Sequence, residues 1–378
     1  MRRAMGIIGA AAVLAAVLAA ACAKGDNTAT TDSTTTSTSA GSIDSSASGM
    51  NGSNNGGVKP MATPDDQMKK VLDAHAALGA KPLETLTPAQ ARKGPTPADA
   101  AKKVAADEGK PTAPDASVST VDRTIPGPAG ALPVRIYTPK DGTGPWPVVV
   151  YYHGGGWVIA NKEVYDGGAR AISKLANAVV VSVDYRQGPE HRFPAAHDDA
   201  IATYQWALKN AASIKGDPKK VALAGESAGG GLAVATAIAA RDMQLQQPTA
   251  VVAVYPIAST DTNSASYQEN ANAKPLSKPA MEWFFKNYLN GPQDYKDPRI
   301  NLVAADLKGL PPVTIINAQI DPLRTDGEML ADKIRAAGGT VQQKTYDGVA
   351  HEFFGMAAVV DKAKDAEQMA AEALKKGW

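Results

Sequence analysis

The residues best suited to chemistry lie in the stretch Gly225-Glu-Ser-Ala-Gly229, where Ser227 stands between two glycines. A small, apolar, strand-like run reaches Gly225, and a helix-like run follows at residues 231–240. A serine that attacks a carbonyl group has to stand clear of its neighbours, and a sharp strand-to-helix turn allows this only when the flanking residues lack bulk. The pattern therefore predicts a nucleophile elbow, with an ordinary strand-to-helix turn as the alternative.

A second motif, His153-Gly-Gly-Gly-Trp157, follows the apolar run at residues 148–152. Three glycines at the exit of a buried strand leave backbone N–H groups uncovered. Such donors stabilise the negative charge that acyl transfer builds on a carbonyl oxygen, each by roughly 3 to 4 kcal/mol in other enzymes. The spacing fits neither a P-loop nor a dinucleotide-binding motif, so nucleotide binding is not expected.

The histidine count nearly determines the general base. The chain has five histidines, which are His75, His153, His191, His197 and His351. Only the last of them follows the elbow serine, and hydrolases of this type run in the order serine, acid, histidine. His351 is therefore the predicted base.

The acid that would orient this base is Asp321. It directly follows the apolar run at residues 313–320, so we expect it at the carboxyl end of a buried strand, where the loops of an α/β sheet build a site. Asp326 and Glu328 are less favoured candidates, and we expect them on a solvated face of the next helix.

Five motifs in one order resemble those of the bacterial hormone-sensitive-lipase-like esterases. They are His153-Gly-Gly-Gly-Trp157, Asp184-Tyr-Arg186, Gly225-Glu-Ser-Ala-Gly-Gly230, Asp321-Pro-Leu-Arg324 and Tyr346-Asp-Gly-Val-Ala-His351. The resemblance covers about residues 64–378. It implies an α/β-hydrolase fold with a helical cap, and an activity on esters with short to medium acyl chains.

The resemblance also implies roles for individual residues. Ser227 would be the nucleophile, His351 the base and Asp321 the orienting acid. The oxyanion hole would be formed by the backbone amides of Gly155, Gly156 and Ala228. The chain departs from the family at Glu226, where aspartate is frequent, and at Glu352, where glycine is common.

Residues 1–21 contain two arginines, an apolar run and small residues before Cys22, which predicts a signal peptide rather than a membrane span. Cys22 is the only cysteine, so no disulfide can form within the chain. Its position resembles a bacterial lipoprotein cleavage site. We expect lipidation at Cys22, which would hold an exported protein to a bacterial membrane in the periplasm or at the cell surface. Plain secretion after an Ala-x-Ala site is the alternative.

Residues 22–63 are rich in serine, threonine and glycine, and we expect a disordered tether because they lack the large apolar side chains that folding needs. Residues 64–116 have Met68, Val71 and Leu72 at helical spacing and several prolines, which predicts short helices. The family resemblance makes this region the N-terminal cap segment. His75 lies within it, and we expect it on a helix surface.

The body spans residues 117–378 and begins with two alternating strands, 118–124 and 132–138. Near-continuous apolar runs then alternate with helical patterns at 148–152, 179–183, 221–224, 251–255 and 313–320. The predicted fold class is therefore α/β, with a mostly parallel, doubly wound sheet. Residues of about 258–311 interrupt the alternation, and we expect the second part of the cap there, with most of its aromatic residues in packing.

Charge and composition exclude several other functions. Lysine and arginine number 39 and aspartate and glutamate 38, so there is no basic field for nucleic acid. His191 and His197 lack metal-ligand spacing, and no metal or other cofactor is expected. The sequence predicts a serine carboxylic-ester hydrolase that acts on a small-molecule ester, and it makes no prediction of oligomeric state. Amide or peptide hydrolysis on the same fold and non-catalytic ligand binding are the alternatives.

Overall fold

The computed structural model describes residues 59–378. The predicted signal peptide, Cys22 and nearly all of the predicted tether lie outside the described residues. The strands are β1 (Val118–Gly127), β2 (Gly130–Pro139), β3 (Trp146–Tyr152), β4 (Val179–Val183), β5 (Gly216–Glu226), β6 (Val251–Val254), β7 (Val313–Ile320) and β8 (Val341–Ala350). The helices are α1 (Asp66–Ala77), α2 (Pro88–Ala91), α3 (Pro97–Asp107), α4 (Asp166–Ala176), α5 (Ala195–Asn210), α6 (Ala228–Asp242), α7 (Ala265–Glu269), α8 (Lys278–Tyr288), α9 (Arg324–Ala336) and α10 (Asp361–Lys375).

The strands form one sheet in the order β1-β2-β4-β3-β5-β6-β7-β8. β2 pairs antiparallel with both β1 and β4, and all other neighbours pair parallel. The predicted α/β class with a mostly parallel sheet is confirmed. The sequence pattern gave no bounds for β8, because exposed residues such as Gln342 and Lys344 interrupt its apolar character.

Helices cover both faces of the sheet, which explains the continuous apolar runs. In β3, Val148, Val150 and Tyr152 belong to the core on one face, and Val149 and Tyr151 belong to the core on the other. Helices α5, α6 and α9 contribute to the first core, and α1, α3, α4 and α10 contribute to the second. A strand buried in this way has no polar side, so its sequence does not alternate.

Strand register brings two loops together at the carboxyl edge of the sheet. Tyr152, the last residue of β3, pairs with Gly225 of the neighbouring strand β5. The glycine-rich loop that begins at His153 therefore lies beside the turn at Ser227.

Strand register also places the other two predicted site residues, Asp321 and His351. Ile320 and Ala350 pair at the ends of β7 and β8. The residues that follow them are Asp321 and His351, so each leaves the sheet next to the other.

The two segments predicted as cap contact each other and the body through specific hydrogen bonds. Thr87 and Thr96 form capping boxes for α2 and α3, and each helix has proline at its first turn, so prolines begin helices here. Trp283 of α8 donates through Nε1 to the carbonyl oxygen of Leu86 at 3.0 Å. Arg92 donates to two carbonyl groups of the body at 2.8 and 2.6 Å.

The prediction that Asp326 lies on a solvated helix face is wrong. Asp326 is fully buried in the first turn of α9, and one of its oxygens accepts from the amides of Ala258 and Ser259 at 3.0 and 2.8 Å. Burial raises the pKa of Asp326 to about 8. The local pattern could not show this, because the loop that covers Asp326 lies 68 residues away in the sequence. Glu328, by contrast, is 44% exposed.

Replacing Asp326 with asparagine removes a titratable proton and keeps an oxygen that can accept from the same amides. The pKa is about 8 in the fold and 3.8 for an unperturbed aspartate, so the folded chain holds the proton more tightly. The native free energy of unfolding therefore falls as the pH rises between these two values. We expect Asp326→Asn to raise the melting temperature more at about pH 8.5 than at about pH 5, as measured by thermal unfolding.

The matched control is Asp332→Asn, the same change at a position of α9 whose side chain is 78% exposed. This variant should shift the melting temperature alike at both pH values. An equal shift for Asp326→Asn at the two pH values would contradict the prediction.

Candidate active site

Ser227 occupies a one-residue turn between β5, which ends at Glu226, and α6, which begins at Ala228. Its φ of 55° and ψ of −118° form a strained conformation of the kind that occurs mainly at functional sites. A Cβ atom at Gly229 would overlap the carbonyl oxygen of Tyr152, so glycine lets the helix approach the sheet. The helix begins three residues earlier than the helix-like run in the sequence, because packing against β3 overrides the low helix propensity of glycine.

The structure brings Ser227, His351 and Asp321 into one hydrogen-bonded line. Nε2 of His351 lies 3.0 Å from Oγ of Ser227, and Nδ1 lies 2.6 Å from Oδ2 of Asp321. All three side chains are buried. Oδ1 of Asp321 accepts from the amide of Leu323 at 2.8 Å, which fixes the orientation of the carboxylate.

The carboxylate decides which ring nitrogen of His351 can act as a base. Asp321 accepts a hydrogen bond from the protonated Nδ1, so the neutral ring presents a free lone pair on Nε2 to the hydroxyl of Ser227. Burial lowers the pKa of His351, but the charges of Asp321 and Glu352 outweigh burial, and the net pKa is raised above 6.5. A histidine with this pKa can take a proton near neutral pH and return it.

The amides of Gly155, Gly156 and Ala228 are available to a ligand. Gly155 and Gly156 line the same cavity as the serine and histidine, and Ala228 is the first residue of α6. Within residues 59–378, none of the three amides donates to a backbone acceptor. Gly155 and Gly156 have φ angles of 96° and 57°, which favour glycine.

Comparison with known proteins agrees with this geometry. A family model described as an α/β-hydrolase fold matches residues 149–355. The carboxylesterase NlhH of Mycobacterium tuberculosis is 39% identical over 250 residues, which are 65% of this chain and 78% of that protein. An ethyl acetate hydrolase of Pseudomonas putida is 32% identical over 64% of this chain and 78% of its own length. The solved structure of a hyperthermophilic esterase from Pyrobaculum calidifontis is 34% identical, with a TM-score of 0.74 over 84% of this chain and 99% of that one.

The chain belongs to the hormone-sensitive-lipase-like esterases of the α/β-hydrolase superfamily. The resemblance found in the sequence motifs is therefore confirmed. In this esterase, the glycine-rich loop is held by Tyr185, whose hydroxyl donates to the carbonyl oxygen of His153 at 2.8 Å. The ring of His153 stacks on Tyr185 at 4.2 Å, and burial lowers the pKa of His153.

In the esterase, both charged residues of the Asp184-Tyr-Arg186 motif form ion pairs. Asp184 pairs with Lys162 at 2.6 Å, and Arg186 pairs with the fully buried Asp199 at 2.8 Å. Asp184 lies 3.9 Å from Nε2 of His153, so the first pair lies beside the glycine-rich loop, and both pairs fix the chain that follows β4.

A cavity of about 430 Å³ opens at Ser227 and His351. The body and both predicted cap segments contribute its apolar walls, which include Leu83, Leu86, Ile159, Leu276 and Phe284. Phe284 lies directly against Gly156, whereas Phe285 and Tyr288 pack in the core, in line with the expected packing role of most aromatic residues. The size and lining suit a small molecule with an apolar portion.

His75 also lines this cavity, so the prediction of a simple surface position is wrong. It is half-buried, and its Nε2 lies 3.0 Å from the carbonyl oxygen of Pro95. The helical spacing of α1 does not indicate this contact, because Pro95 belongs to the loop before α3.

A buried network that the sequence motifs did not reveal lies under the elbow. Glu226 is almost fully buried, and the hydroxyls of Tyr151 and Tyr255 donate to its two carboxylate oxygens. Burial and the nearby Glu352 raise the pKa of Glu226 well above its ordinary value. A signal was present in the sequence, since both tyrosines stand at the ends of apolar strands that flank β5.

Metal and membrane features can be assessed for the described part of the chain. In residues 59–378, no group of three or more His, Cys, Asp or Glu side chains is arranged to hold a metal ion. In the same range, no helix has both the length and the apolar character needed to cross a bilayer.

His197 packs in the core, where its Nδ1 lies 3.0 Å from the hydroxyl of Tyr288, and burial lowers its pKa to about 3.

Replacing Asp321 with asparagine should remove most of the esterase activity. The amide would favour the wrong tautomer of His351, and the equivalent change in a serine protease lowers kcat about 10⁴-fold.

The native kcat/KM should also fall as the pH drops below the pKa of His351, with a midpoint above 6.5 because that pKa is raised. Rates on a p-nitrophenyl ester across pH measure both effects.

Glu328→Gln is the control, since Glu328 was one of the two other carboxylates considered for this role and its side chain is 44% exposed. It should retain native rates. Full activity in Asp321→Asn, or an equal loss in Glu328→Gln, would refute the assignment.

Proposed function

We propose that the protein hydrolyses carboxylic esters with short to medium acyl chains through an acyl-enzyme on Ser227. The observation that carries this proposal is the buried line of Asp321, His351 and Ser227, with distances of 2.6 and 3.0 Å. Esterase relatives at 39% identity support the same chemistry.

Acylation begins when Nε2 of His351 takes the proton of Ser227 as Oγ attacks the ester carbonyl carbon. The carbonyl oxygen becomes an oxyanion, and the amides of Gly155, Gly156 and Ala228 are positioned to donate to it. Collapse of the tetrahedral intermediate breaks the bond to the alcohol oxygen, and His351 gives its proton to that oxygen. The alcohol leaves, and the acyl group remains on Ser227.

Deacylation repeats these steps with water. His351 takes a proton from water as the water oxygen attacks the acyl carbonyl, and it returns the proton to Oγ of Ser227 when the carboxylic acid leaves. Asp321 keeps the imidazole in the same orientation through both halves.

The cavity supports the proposed range of acyl chains. Its volume of about 430 Å³ lies near the lower end of ligand sites, and apolar side chains dominate its walls. A relative named for ethyl acetate hydrolysis supports small esters as well. A peptide substrate would need an extended groove, and no observation favours one.

Ser227→Ala tests the proposal directly. Without the hydroxyl no acyl-enzyme can form, and we expect the rate on p-nitrophenyl butyrate to fall by at least about 10⁴-fold. Ser213→Ala, which changes an exposed serine before the start of β5, at the opposite end of that strand from Ser227, should keep native activity. Equal rates for native chain and Ser227→Ala, with matching thermal unfolding, would reject the proposed function.

We also propose that the protein is exported and carries a lipid on Cys22, which anchors it to a bacterial membrane in the periplasm or at the cell surface. The support is the sequence alone: a signal-like run followed by small residues and the single cysteine. One acyl chain binds a bilayer weakly, and stable anchoring needs further chains. Residues 22–63 would then separate the catalytic body from the membrane.

Labelling in a bacterial host tests the anchor. Cells are fed an alkyne-tagged fatty acid, and we expect the native chain to incorporate it and Cys22→Ser to lose it completely. Ala29→Ser, a matched change in the predicted tether, should be labelled like the native chain. An unlabelled native protein with an amino terminus formed at an Ala-x-Ala site would establish plain secretion instead.

A further inference from the structure

Glu352 follows His351 directly and adopts a left-handed backbone, with a φ of 73°. Residues with a side chain are disfavoured in this conformation, which glycine adopts freely. Backbone strain beside a reacting group is typical of residues that have a functional role.

The side chain of Glu352 reaches the cavity that holds Ser227. Its Oε1 accepts from the hydroxyl of Tyr165 at 2.5 Å and lies 3.8 Å from Nε2 of His351. Its Oε2 takes no hydrogen bond from residues 59–378. The side chain is 18% exposed and lines both this cavity and a second one of about 1210 Å³, so its carboxyl group is held by one neighbour and borders open space.

Nε2 of His351 is the atom that protonates the departing alcohol oxygen. That oxygen has to come within a hydrogen bond, about 3 Å, of Nε2. Since Oε1 of Glu352 lies 3.8 Å from the same nitrogen, the ester oxygen can be no more than about 7 Å from the carboxylate. The alcohol oxygen therefore leaves within reach of the charge of Glu352.

The charges around the cavity leave Glu352 without a fixed cation. In the described part of the chain, no lysine or arginine nitrogen lies within 4.0 Å of its carboxylate, and His351 is its one partner at ion-pair distance. Asp184 also lines the cavity, but Lys162 pairs with it at 2.6 Å. Lys81 stands at the rim and is exposed to solvent, where salt screens its charge.

We propose that Glu352 makes the alcohol side of the site selective for esters whose alcohol carries a positive charge, such as an ammonium group two or three bonds from the ester oxygen. An ammonium group there meets the open carboxylate in a partly desolvated cavity, where ion pairing is stronger than in water. An alcohol with a carboxylate group would be repelled. The inference rests on the ester-hydrolase function proposed above and names the substrate class for the same site.

Burial raises the pKa of Glu352, while His351 and the hydroxyl of Tyr165 lower it in part. The assay is therefore run at about pH 8, far above the ordinary range of a glutamate. The substrates are the butyrate esters of choline and of 3,3-dimethylbutanol, which share shape and differ in charge. The measured quantity is the ratio of their kcat/KM values.

We expect the native chain to favour the choline ester, and Glu352→Gln to lower the ratio by roughly tenfold, mainly through KM. Glu352→Gly removes the same charge and suits the left-handed backbone, so it should lower the ratio equally even if glutamine folds poorly. Asp332→Asn changes the net charge alike on the exposed face of α9 and should leave the ratio at its native value.

The outcomes separate the two proposals. A native chain that hydrolyses the neutral ester, with a ratio that neither Glu352 variant changes, overturns the role of Glu352 and leaves the esterase function intact. A ratio that falls equally in Asp332→Asn also overturns it, because net charge would then explain the preference. A native chain that hydrolyses neither ester overturns the proposed function and this inference with it.

Discussion

The close approach of helix α6 to strand β3 is the constraint on which the site depends. Only glycine fits at position 229, because any Cβ atom would overlap the carbonyl oxygen of Tyr152. This contact gathers the amino end of the helix, the turn at Ser227 and the loop after His153 around one point. A bulkier residue would separate these parts by about the width of a methyl group, and transition-state stabilisation is sensitive to displacements of about 1 Å.

Three carboxyl groups lie around His351, and they differ in their hydrogen-bond partners. Asp321 accepts from the imidazole and from a backbone amide, so its position is fixed. Glu226 lies beneath the elbow and accepts from two tyrosine hydroxyls, which holds β5 to its neighbours. Glu352 accepts from Tyr165 and lines the cavity. The same chemical group thus orients the imidazole, packs beneath the elbow or borders the cavity, and its hydrogen-bond partners differ in each case.

The sequence predicted those features that depend on local pattern and chain order. Buried strands appear as apolar runs, and the order serine, acid, histidine singles out His351. Features that depend on distant segments could not be predicted this way. Asp326 was predicted to be solvated because the loop that buries it lies 68 residues earlier in the sequence. His75 was predicted to lie on the surface because the local pattern does not show the proline-rich loop that covers it. The role of Glu226 was missed although Tyr151 and Tyr255 stand at the ends of apolar runs, because the fold decides which strands flank β5.

The pairing of Ile320 with Ala350 has an evolutionary consequence. Side chains alternate between the faces of a strand, so inserting one residue within β7 or β8 would slip the register and turn Asp321 or His351 away from its partner. β8 already has two more residues than β7 between the pairs Ala318–Tyr346 and Ile320–Ala350, so length changes are confined to this irregularity and to the loops and helices beyond the strand ends. A lineage built on this sheet can therefore diversify what it hydrolyses while the bond-breaking machinery stays fixed.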